Sequence, residues 1–93
     1  MTSEQFLRSF AQAFRGARLK EGLTQEAVAE AAGIHPTYVS RIETGVYTPT
    51  ISVAFRLSVA VGRSFSSLIR EAEERPLGGV GRVNRTPYRK RPI

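Results

Sequence analysis

Apolar residues recur every three or four positions in five stretches of this chain, the period of a helix face rather than of a strand. The first stretch predicts a helix over residues 4–20, with Ser3 as its cap and Glu4 favourable in the first turn. Its inner stripe is Phe6 or Leu7, then Phe10, Phe14 and Ala17, and Gly22 stops it. A second helix follows Thr24, whose hydroxyl can accept from a free backbone N–H. Ala27, Val28, Ala31 and Ala32 lie on or near one face of it, and Gly33 ends it. Ile34 plugs the turn. His35 and Pro36 open a third helix, since proline's missing N–H costs nothing at the first helical position. Val39 and Ile42 point inward there, Pro36, Thr37, Ser40, Arg41 and Thr44 point outward, and Gly45 closes the unit.

After a loop through Pro49, Thr50 caps a fourth helix over residues 51–61 with Ile51, Ala54, Leu57 and Val61 inward. Ser64 caps a fifth that runs to about Glu74, with Phe65, Leu68, Ile69 and Ala72 inward. Five helices joined by short connections predict a compact all-α domain over residues 1–74. Residues 75–93, RPLGGVGRVNRTPYRKRPI, break any helix with glycine and proline and carry no acidic residue, so they read as a disordered basic C-terminal arm.

Charge changes the picture less than its sum implies. The net charge is +6, yet residues 1–74 hold eight basic and eight acidic side chains, and the whole excess lies in the arm. The arm is either a solubilising end or a nucleic-acid contact; the second is preferred because unpaired arginines release counterions from phosphate. Charge does not identify the helical domain as a nucleic-acid binder. With 93 residues and no cysteine, the chain offers one modest core and no disulfide or thiol chemistry. No apolar run approaches the ~20 residues a membrane span needs. The N-terminus does not read as a signal peptide, and a soluble cytoplasmic protein is expected.

The stretch LTQEAVAEAAGIHPTYVSRIETG, preceded by Arg18 and Gly22, resembles the Cro- and repressor-type helix-turn-helix family, the XRE family. Leu23, Thr24, Gln25, Glu26, Ala29, Ala32, Gly33, Ile34, Tyr38, Val39, Ser40, Ile42, Glu43 and Gly45 match its pattern in register, and the similarity spans about residues 6–70. The resemblance implies a five-helix repressor-like domain whose third helix lies in the major groove of double-stranded DNA. Residues His35, Pro36, Thr37, Tyr38, Ser40 and Arg41 then meet base edges. Arg41 is the best specificity candidate, since its fork can donate twice to guanine; the competing role is a solvated or internally paired arginine. His35 can contact DNA or cap its helix, and capping is preferred.

The resemblance also implies that Gln25 binds the DNA backbone, against the alternative of a bond to its own helix start. It further implies that Arg18 and Glu43 bridge the first and third helices, with Arg18 also facing phosphate. Arg15 and Tyr47 are further phosphate candidates. Pro36 and Val46 depart from the pattern: relatives commonly carry a polar or basic reader at the first and a Lys or Arg at the second.

An enzyme is not expected: the chain has one histidine and no carboxylate pair or glycine-rich phosphate loop in a suitable context, and no metal, cofactor or small-molecule ligand is implied. A homodimer on a palindromic site is expected, formed through the fourth and fifth helices, with Val53, Phe55 and Val59 as interface candidates; the alternative for Phe55 is core packing against the first helix. The arrangement around Thr37 and Tyr38 is also similar to controller proteins of restriction–modification systems. The alternative function is an antitoxin or adaptor that uses the same fold for protein–protein contact.

Overall fold

A computed structural model describes residues 1–75. They form five helices: α1 (Ser3–Lys20), α2 (Gln25–Ala32), α3 (Pro36–Glu43), α4 (Ile51–Ala60) and α5 (Phe65–Glu74). No strand occurs among the described residues. The basic arm expected over 75–93 lies outside them, except for Arg75, which ends α5 and pairs with Glu71 at 3.0 Å.

Local chemistry sets most boundaries. Thr24, Thr50 and Ser64 each accept a backbone N–H three residues on, capping α2, α4 and α5. At α1 the cap is Thr2, not Ser3. Its hydroxyl accepts from Gln5 N at 3.1 Å while the Gln5 side chain accepts from Thr2 N at 2.8 Å, a reciprocal pair that Ser3 cannot form because its third follower is Phe6. Gly33 sits at φ 72°, the left-handed conformation that lets the chain turn sharply from α2 into α3.

The core gathers Phe10, Phe14, Val28, Val39, Ile42, Leu57, Val61 and Leu68, with Phe6, Ile34, Val53 and Phe65 at its edge. The rings of Phe10 and Phe14 lie nearly parallel, 6.5 Å apart. Two expected facings are corrected. On α2 the buried side is Val28, Ala29 and Ala32, while Ala27 and Ala31 are exposed. On α4, Ile51 is 78 % exposed rather than inward, because the buried side of that helix runs through Ala54, Leu57 and Ser58.

Two long-range bonds tie the later helices to the first two. Buried Ser9 donates to the Ala72 carbonyl, joining α1 to α5. Arg56 of α4 donates through Nη1 to the Ala32 carbonyl at 3.0 Å, satisfying an acceptor at the end of α2 beside Gly33. Packing of α1 against α3 and of α4 against α2 holds the α2–α3 pair from behind.

Candidate nucleic-acid interface

Helix α3 is fixed by its inner side and both ends. Val39, Ile42 and Glu43 are buried. At its start His35 accepts the Thr37 N–H on Nδ1 at 3.1 Å, and Pro36 occupies the first turn. His35 therefore caps the helix, which orients its ring at the edge of the outer face. At its end the Arg41 carbonyl accepts from Val46 N at 2.9 Å and Tyr47 N at 3.1 Å, folding the following loop back under the helix. That fold brings the Tyr47 ring against Tyr38, with centroids 5.2 Å apart.

The outer face then presents Thr37, Tyr38, Arg41 and Thr44 as exposed side chains, with Pro36 and Ser40 half-buried beside them. Thr44 is occupied by its own helix, donating to the Ser40 and Arg41 carbonyls. The Arg41 guanidinium has no ion-pair partner among the described residues. A forked donor on a helix clamped at both ends is suited to bidentate contact with a planar acceptor pair.

Behind this face, Arg15, Arg18, Gln25 and Glu43 converge. Arg18 donates Nε to Glu43 Oε2 at 2.6 Å and Nη2 to Oε1 at 3.0 Å, with the two side chains 9 % and 2 % exposed. Its remaining nitrogen, Nη1, donates to the Leu23 carbonyl at 2.8 Å. The hydrogen bonds to Glu43 raise the Arg18 pKa above its ordinary value, outweighing burial, so the guanidinium stays charged. Gln25 donates to Glu43 Oε1 at 3.1 Å, a bond to the bridge rather than to its own helix start. Arg15 approaches the same oxygen at 3.8 Å but is 59 % exposed, leaving its charge available to solvent.

The third candidate group divides. Phe55 and Val59 are 53 % and 60 % exposed, and Ile51 joins them in a row spaced by four residues on α4. Phe55 is not core packing against α1; its ring meets Phe65 edge-on with centroids 6.4 Å apart. Val53 is half-buried against the core. Sequence spacing gave no sign of the Gln25 bond to Glu43 or of Arg56 at the end of α2, since their partners lie 18 and 24 residues away.

Five helices with an exposed, rigidly backed α3 define a helix-turn-helix domain. The helix-turn-helix family model matches residues 14–68, and the chain belongs to this XRE-type family of DNA-binding transcription regulators. It is 35 % identical over 65 residues to the uncharacterized HTH-type transcriptional regulator y4dJ of Sinorhizobium fredii, covering 70 % of this chain and 84 % of the relative. Among solved structures it is similar to the clp gene regulator ClgR of Corynebacterium glutamicum, with TM-score 0.70 and 27 % identity over 72 % of this chain and 71 % of that one. It is also similar to the restriction–modification controller protein C.Esp1396I, solved as a tetramer with its natural 35 base-pair operator, with TM-score 0.64 and 28 % identity over 72 % of this chain and 93 % of that one. Among the described residues no helix is long and apolar enough to cross a membrane.

Proposed function

We propose that the protein is a sequence-specific regulator of transcription that binds a palindromic operator as a homodimer, with α3 in the major groove. The observation that carries this reading is Arg41: exposed, without an ion-pair partner among the described residues, and mounted on a helix whose ends and inner side are fixed. Arg41 reads a base, and Thr37, Tyr38, Ser40, Pro36 and His35 complete the surface around it. Arg15, Arg18, Gln25 and Tyr47 hold phosphate, positioning the helix without carrying sequence information. The regulator acts in the cytoplasm as a binding protein, without catalytic activity.

An eight-residue helix spans only about 12 Å, so one copy reaches few base pairs. Two copies reading half-sites about 10 bp apart supply the missing specificity. The exposed row Ile51, Phe55 and Val59 supports a dimer through α4. Similarity to C.Esp1396I, nearly all of whose length is covered, favours a role like that of the restriction–modification controllers. The same apolar row supports a second reading, an antitoxin or adaptor that uses the fold for protein contact.

Arg41→Ala is expected to cost about 1–3 kcal/mol on the best site and to relax preference at one base position. Selection of bound sequences from a random duplex pool, followed by gel-shift competition with a scrambled duplex, checks both statements. Equal weakening on every duplex means that Arg41 holds phosphate instead. Failure of the wild type to discriminate between duplexes favours the adaptor.

A further inference from the structure

We infer that Arg8 of α1 is a further contact to the DNA phosphate backbone, so that the interface extends from α3 and its loop onto the first helix. The inference rests on the proposed entry of α3 into the groove.

Arg8 is exposed, and the start of its side chain lies beside the glycine that follows α3. A Cβ placed on Gly45 would lie 3.6 Å from the Arg8 Cγ, so that methylene sits at van der Waals distance over the glycine. The loop at the end of the reading helix is thereby within reach of the guanidinium. That loop has no cation of its own: no Lys or Arg occurs from Ile42 to Phe55, and Val46, next to Gly45, is 75 % exposed and apolar. A phosphate alongside the loop meets Arg8 instead.

Internal uses for this charge are already filled. Glu43 is occupied by Arg18 and Gln25. The last carbonyls of α3 are satisfied: Ser40 O by Thr44 N, Arg41 O by Val46 N and Tyr47 N, and Ile42 O by Gly45 N. Glu4, one turn earlier on α1 and the natural helical partner, accepts from Ser3 Oγ at 3.4 Å and does not pair with Arg8. Arg8 and Arg15 lie seven residues apart, about 10 Å along the helix. They stand beside two points of the α3 end, Arg8 at Gly45 and Arg15 at Glu43.

The test compares wild type, Arg8→Ala and Arg8→Lys on the selected site and on a random duplex between 50 and 200 mM salt. One lost phosphate contact lowers the slope of log affinity against log salt by about 0.9. Arg8→Ala should therefore lose about 3- to 4-fold less affinity than wild type across that salt range, equally on both duplexes, and Arg8→Lys should restore the slope. Neutral methylphosphonate linkages placed one at a time give a second readout: one that weakens wild type should no longer weaken Arg8→Ala. An unchanged slope, even with weaker binding, overturns the inference, as does sensitivity to every linkage in Arg8→Ala. Absence of a specific wild-type complex instead overturns the underlying reading of α3, and it is seen before any variant is made.

Discussion

Glu43→Ala should lower the thermal midpoint by roughly 12 °C or more, corresponding to about 3–5 kcal/mol in a domain of this size. The substitution removes a carboxylate that accepts two bonds from Arg18 and one from Gln25 while only 2 % exposed. What remains is a buried guanidinium whose one surviving hydrogen-bond partner among the described residues is the Leu23 carbonyl. Leaving that charge uncompensated, more than losing an attraction, destabilises the fold. Set against a typical total stability of about 5–15 kcal/mol, the loss is severe. Glu71→Ala is the control. It breaks pairs with Arg63 and Arg75 whose side chains are about a third exposed, and should shift stability by no more than about 1 kcal/mol. Scanning calorimetry on both variants decides the matter; equal small shifts mean that solvent already compensates Arg18.

This bridge also marks where sequence reading stops. Arg18 and Glu43 are 25 residues apart, and only the family resemblance paired them; no local periodicity links two such positions. Helix starts were legible because a cap acts within three residues: Thr24, Thr50 and Ser64 are each followed by the N–H they accept. Thr2 and Ser3 are chemically equivalent caps, and the choice falls to Gln5, which can return a bond to Thr2. The facing of α2 is poorly marked in the sequence because alanines signal the buried side weakly, and Val28 alone does not set the angle of the stripe. Ile51 misled more. It continues the spacing of Ala54 and Leu57, yet as the first residue of α4 it extends past the core it was expected to cover.

Within the candidate site, the outer face of α3 followed from Val39 and Ile42 pointing in. The contacts that orient it did not. The Tyr38–Tyr47 ring contact, the Arg56 bond to Ala32 and the approach of Arg8 to Gly45 are all tertiary, joining residues whose spacing carries no signal. A surface of this kind is read from sequence as a list of exposed side chains. Its geometry comes from the elements packed behind it.

The misplaced Ile51 leads to the second large effect. With Phe55 and Val59 it forms an apolar row on one side of α4, 78 %, 53 % and 60 % exposed. A dimer that buries this row links two reading helices, so the second half-site is bound within the complex rather than from solution. Such linkage commonly strengthens binding by about 10²–10⁴-fold without any new base contact. Val59→Asp places a charge within that contact while disturbing little of the monomer, since the side chain is already mostly in solvent. Phe55→Asp is its companion and also removes the edge-on contact with Phe65, so a small loss of monomer stability accompanies it. Both variants should sediment as monomers and lose about 10²–10⁴-fold in affinity for a two-half-site operator, yet bind an isolated half-site as wild type does. Sedimentation velocity and titrations on the two duplexes measure this directly. Dimers that persist in both variants place the contact elsewhere on the molecule. Monomers that keep full operator affinity show that each copy reads its site alone.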